Sequence, residues 1–258
     1  ETNKQMVFTC DRPVSELITS RVGKTVQLAG FSLIFALLLG IPIGIYSAVK
    51  QYSKFDYVFT TLAFMGSAMP TLFWGILMIL FFAILPYRAG APYFPPGSAV
   101  AVRDTVVPLF GTIQAGSVVD KIWHMVLPVT TLTLVSISGW SRFVRASMLE
   151  VMRQDYVRTA RAKGLFERVV IIKHALRNAL IPFVTIIVFA LPGLFGGAII
   201  TESIFSWPGM GRLYFQALGE YDYPVALAIL LITAILTVIA TLIRDVLYTI
   251  VDPRIRLS

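Results

Sequence analysis

Five stretches of this chain contain no charged side chain and are each long enough to cross a bilayer. They are Thr25–Val49, Tyr57–Tyr87, Ile122–Ser141, Asn178–Thr201 and Tyr223–Ile243, between 20 and 31 residues long. A helix needs about 20 predominantly apolar residues to span the hydrocarbon core. Within that core every backbone polar group must find an internal partner, so only helices and closed barrels cross it. These lengths are helical and lack the roughly ten-residue alternation of barrel strands. The chain therefore reads as an all-α polytopic membrane protein, one transmembrane domain over residues 1–258 with five crossings. A hydrophobic content of 57% against 14% charged residues sets it apart from soluble domains.

The net charge of +8 would suit a nucleic-acid partner, but its placement argues otherwise. Nine Lys and Arg fall within Arg142–Arg177, while Arg88–Lys121 holds three and Glu202–Asp222 only Arg212. By the positive-inside rule, Arg142–Arg177 and the C-terminus face the cytoplasm, and the loops over about 86–124 and 202–223 face outward. The basic excess is topological, and no nucleic-acid partner is expected. Five crossings that end inside require an outer N-terminus, yet residues 1–24 include no segment that could export them. A sixth, first crossing before Glu1 is the expectation. Cys10 is the sole cysteine and His124 and His174 lie far apart, so neither a disulfide nor a metal cluster is expected.

Along the chain, Val14–Ile18 suggests a short amphipathic helix at the outer surface, and Lys50–Asp56 a tight inner turn. Thr105–Val119 is too short and too broken by Pro108, Gly111 and Gly116 to cross. The cytoplasmic segment over about 150–180 holds more local information. Asp155 suits an N-cap, Tyr156–Lys163 contains no breaker, and Gly164 stands where a C-terminal glycine belongs. Arg161 and Lys163 in the last turn suit the negative end of the helix dipole. After this capped helix, Leu165, Val169, Ile172 and Leu176 share one face of a second helix. That helix is expected to lie at the membrane interface and lead into the next crossing.

Three kinds of chemistry find no support. Gly23-Lys24-Thr25 suggests a phosphate loop, but the Walker pattern needs a glycine where Ile18 stands. Any ATP hydrolysis must then come from another polypeptide. His124 and Ser141 are about 25 Å apart along one helix, too far for a serine hydrolase, and Ser138 and Ser141 read as packing hydroxyls. The charge-free windows hold no ionisable pair for ion-coupled secondary transport, and a channel leaves the capped helix unexplained.

The segments Arg158-Thr159-Ala160-Arg161-Ala162-Lys163-Gly164-Leu165 and His174-Ala175-Leu176-Arg177-Asn178-Ala179-Leu180-Ile181-Pro182 resemble a cytoplasmic signature. It is that of ATP-binding-cassette importer permeases, specifically the B-type subunit of the dipeptide/oligopeptide/nickel family. Arg12–Ile18, Ile204–Gly211, Asp245–Tyr248 and Asp252–Arg256 match further, so the resemblance covers essentially the whole chain. Arg158, Thr159 and Ala160 stand where the general importer signature has Glu-Ala-Ala, a variant resembling the peptide branch.

The resemblance implies the type I importer transmembrane fold and a partnership with a second homologous permease. It further implies two ATPase subunits that bind ATP and Mg, an extracytoplasmic substrate-binding protein and a cell-membrane location. The chain itself would hold no cofactor, metal or catalytic residue. Dipeptides or oligopeptides are the implied cargo, with nickel, glutathione or oligosaccharide as alternatives. Coupling to the ATPases would fall on Asp155, Tyr156, Val157, Arg158, Thr159, Ala160, Arg161, Ala162, Lys163 and Gly164. In the fourth window, Pro192, Gly193, Gly196 and Gly197 read equally as close packing or as a bend lining the substrate path. Pro208, Gly209 and Gly211 would shape a turn near the external gate.

Overall fold

The computed structural model describes residues 13–180, 187 and 198–251. Helix α1 (Val14–Val49) follows Pro13, whose extended backbone and absent N–H suit the position before a first turn. It runs unbroken for 36 residues, about 54 Å. The surface helix expected at Val14–Ile18 is thus the outer end of α1. Val14, Leu17, Ile18 and Val22 are held there against a buried cluster of Met210, Leu213, Val225 and Ile229. Further along, the buried positions are mostly small and recur every three or four residues: Ser32, Ala36, Gly40, Gly44 and Ser47. This stripe lets the backbones of α1 and its main neighbour, α4 (Val118–Met152), approach closely.

The second window, read as one crossing, is two helices. α2 (Lys54–Ala68) begins with Ser53 accepting the Asp56 amide and ends before Met69-Pro70. Proline drives the residue before it out of the helical region, and Met69 is extended at φ −94°, ψ 138°. At 15 residues α2 rises only about 22 Å, less than the hydrocarbon core. Beyond Pro70, α3 (Thr71–Arg88) is long and apolar enough to cross. Its middle widens to a π turn over Leu80–Ile84, where the Leu85 amide donates to the Leu80 carbonyl. The Trp74 indole donates to the Gly66 carbonyl across the break.

The outer loop after α3 adds an element that the all-α expectation omits. β1 (Thr105–Val107) pairs antiparallel with β2 (Gly111–Ile113), and Val107 and Ile113 are buried beneath them. α4 is capped by Ser117, contains the third window, and continues eleven residues past Ser141 to Met152. α5 (Asp155–Ala162) and α6 (residues 167–179) form the segment that the basic residues predicted to be cytoplasmic. α7 (Ile199–Ile204), α8 (Met210–Gly219) and α9 (Tyr223–Val251) complete the chain.

Among the described residues four helices are long and apolar enough to cross a membrane: Val14–Val49, Thr71–Arg88, Val118–Met152 and Tyr223–Ile243. The expected fourth crossing falls mostly outside the described residues, as do Pro192, Gly193, Gly196 and Gly197. Large apolar side chains such as Leu38 on α1, Phe81 on α3 and Leu231 on α9 stand exposed. In water such surface would be a liability; against lipid tails or other membrane helices it is an ordinary exterior.

Candidate functional site

The C-terminal end of α4 and the helix α6 form an antiparallel stalk. Ser147 donates to the Ala179 carbonyl at 2.8 Å, and Val144, Met148, Ala175 and Ala179 form a buried cluster beside it. Farther along, Val151 packs against Val170, Val157 and Ala160. α6 therefore packs along α4, a contact that its spacing did not show. Part of the cause is its π winding over Val170–Leu176, which puts Val170 and Ala175 inward five residues apart. Leu176 packs partly on the core, while Leu165, Val169 and Ile172 are left exposed.

α5 crosses the tip of this stalk. Its N-cap position is Gln154, extended at φ −71°, ψ 148°, and no side chain caps it. Asp155, expected as the cap, already has helical geometry and stands in the first turn, where its charge still suits the positive end of the dipole. Val157 and Ala160 face inward, and the remaining coupling candidates from Asp155 to Gly164 face outward. Gly164 leaves the helix at φ +73°, a region that β-branched residues avoid. A Cβ there would meet no atom within 4 Å, so backbone conformation alone demands glycine.

An ion pair spans that turn. Arg161 donates from Nη2 to Glu167 Oε1 at 2.8 Å and from Nε to Oε2 at 3.1 Å. The guanidinium holds the Glu167 carboxyl below the ordinary carboxylate range, and the carboxylate in turn raises Arg161. Arg161 is thus a brace between α5 and α6 before it is anything else.

A second brace fixes the inner end of the bundle. Arg145 on α4 grips Asp56 with Nε–Oδ1 and Nη2–Oδ2 distances of 2.8 and 2.9 Å. Asp56 also accepts from the Tyr52 amide and the Thr60 hydroxyl. Arg142 lies over the Phe64 ring at 5.0 Å. Counted only as positive charge, these arginines gave orientation; their contacts show that they also tie α2 to α4.

At the other end of the bundle Gly209 and Gly211, which follow Pro208 in the chain, lie against a residue that the motif reading left out. Glu202, fully buried in the first turn of α7, accepts from Thr25 Oγ1 and from the Arg212 amide, both at 2.9 Å. The same Thr25 oxygen accepts the Met210 amide at 2.6 Å, so both amides belong to the first turn of α8. A negative group there meets the positive end of the helix. A Cβ on Gly209 would collide with the Glu202 carboxylate, and one on Gly211 would lie 2.8 Å from the Ile199 backbone.

Trp207 is buried with Leu28, Met125 and Val129, and its indole donates to the Lys24 carbonyl. The Ser98 amide donates to the Phe205 carbonyl, and Asp120 accepts from the Ala101 and Gly116 amides while contacting His124 Nδ1 at 3.0 Å. The outer ends of α1, α4, α7 and α8 are knotted into one unit. His124 is absorbed in it, far from Ser138, which donates to its own helix at Leu134.

Residues 40–257 match the family described as binding-protein-dependent transport system inner membrane component. The chain belongs to this family. Among its relatives, the oligopeptide transport system permease protein AppB of Bacillus subtilis (strain 168) is 42% identical over 243 residues. That match covers 94% of this chain and 72% of the relative. The dipeptide transport system permease protein DppB of Escherichia coli (strain K12) is 40% identical over 252 residues, covering 95% and 74%.

A solved structure of the inward-facing MetNI methionine ABC transporter contains a chain of similar fold. The TM-score is 0.70 at 17% identity, over 94% of this chain and 99% of that one. An amino acid ABC transporter determined with histidines gives a TM-score of 0.57 at 14% identity. The fold is that of the type I ABC importer permeases. The braced α5 turn and Glu202 itself lie within the span that the family match covers, while Thr25 precedes it.

Proposed function

We propose that this permease carries dipeptides or oligopeptides inward, forming its path with a homologous second permease. The oligopeptide and dipeptide transport of the two relatives supports the cargo. The rest of the reading is carried by α5, a short helix braced on a stalk beyond the charge-free part of α4. Two ATPase subunits, which bind the ATP and Mg, would each dock against such a helix on one permease. Their closure on ATP would move the stalks as rigid levers and open the paired permeases outward to a binding protein; hydrolysis would reset them. The chain itself performs no covalent chemistry. In this reading it lies in the cell's inner or plasma membrane, with the stalk and the C-terminus in the cytoplasm.

The test is uptake by the reconstituted complex of both permeases, ATPase subunits and binding protein. ATP-dependent accumulation of short peptides in proteoliposomes is expected. Accumulation of nickel or glutathione but no peptide would overturn the cargo, and uptake driven by an ion gradient without ATP would overturn the class.

A further inference from the structure

Phe166 is a large apolar side chain left 85% exposed at the tip of the stalk. It occupies the N-cap position of α6, extended at φ −55°, ψ 136°, with no side-chain cap. Ser, Thr, Asp or Asn at that position would accept the orphan amides of the first turn, so phenylalanine forgoes local stabilisation. Its placement is nonetheless tightly controlled. The Gly164 turn precedes it, the Arg161–Glu167 pair clamps the residues on either side, and its carbonyl accepts the Val169 and Val170 amides.

Depth decides what can cover this ring. α4 continues from Ser141 to Val151 as one helix, about 15 Å, or about 14 Å at a typical 20° tilt. The head-group layer on each side is only about 5–8 Å thick. α6 runs antiparallel to α4, with Ala179 beside Ser147 and Val170 beside Val151. Phe166 lies one turn beyond Val170, so with Ser141 taken as the edge of the hydrocarbon core these lengths put the ring past the head-group layer.

We infer that Phe166 is the anchor of the permease–ATPase contact, an aromatic plug for an apolar pocket on the ATPase subunit. The inference rests on the docking reading above and adds a residue outside the Asp155–Gly164 segment. Buried aromatic anchors dominate the energetics of protein interfaces, and a rigid backbone keeps their ordering penalty small. Exposed Lys163 and Arg168, three and two residues away, form a positive collar, so the pocket would have an acidic rim.

The experiment measures binding of the cognate ATPase subunits to the permease pair in nanodiscs. Phe166→Ala should weaken binding at least tenfold, and Phe166→Leu should recover most of it. Because the side chain is exposed, neither variant should alter assembly of the permease pair. Arg158→Glu, on the outward face of α5, separates the two readings. If it releases the ATPase while Phe166→Ala binds normally, the anchor is wrong and docking on α5 stands. If neither variant weakens binding, docking itself is wrong. A bimane label on Phe166→Cys should be quenched by aqueous iodide before ATPase addition and protected after it. Quenching by doxyl-labelled lipid in the permease alone would assign the ring to the bilayer and overturn the inference.

Discussion

Glu202 shows how much a single side chain can organise without announcing itself. The motif Pro208-Gly209-Met210-Gly211 reads plainly as a turn, but the carboxylate that the turn encloses is six residues upstream and polar. Nothing in local periodicity says that Glu202 is buried, because its partners are the distant Thr25 hydroxyl and the Arg212 backbone amide. Gly209→Ala should force its methyl into that carboxylate and destabilise the outer knot by about 1–3 kcal/mol. Gly219→Ala, where no atom lies within 4 Å of the added carbon, is the matched control. Heating the detergent-solubilised protein and following aggregation should show a lower midpoint for Gly209→Ala and little change for Gly219→Ala. Equal midpoints would mean that Glu202 can swing clear of the turn.

Helices were readable from sequence where lipid dictates composition, and less so where one helix dictates another's position. The charge-free windows located α1, α3, α4 and α9 because apolar length is a property of each segment alone. Pro70 was visible within the second window, yet membrane helices tolerate proline, and only Met69's extended backbone shows that the helix stops there. The small hairpin is held by burial of Val107 and Ile113, a tertiary contact that its three-residue strands cannot signal.

The stripe on α1 is intermediate: its glycines were visible, but not what they face. A Cβ on Gly44 would lie 2.6 Å from the Ser141 carbonyl, whereas one on Gly30 meets nothing within 4 Å. Gly44→Ala should therefore push α1 away from α4 and lower the yield of folded permease in the membrane. Gly30→Ala, which strengthens helix propensity without a clash, should leave the yield unchanged or slightly higher. Size-exclusion profiles of the two solubilised variants make the comparison; a normal Gly44→Ala profile would contradict close packing along this stripe.

Taken together, the braces divide the permease into an outer knot, a membrane bundle and an inner stalk, each rigid for a stated reason. Asp56–Arg145 ties α2 to α4 at the inner end of the bundle, and the stalk continues from the same α4 helix. In the proposed coupling, a push at α5 would reach the bundle through α4. Positive charge alone had suggested orientation and the capped helix had suggested a lever; the ion pairs add contacts that would help hold such a lever together. The most direct measurement is transport and ATP hydrolysis by the reconstituted complex carrying Gly164→Val. The strained turn should misplace α5 while leaving insertion and ATPase binding detectable, so peptide uptake should fall at least tenfold and hydrolysis should lose its dependence on the loaded binding protein. Wild-type uptake, with hydrolysis stimulated normally, would show that motion does not pass through this helix.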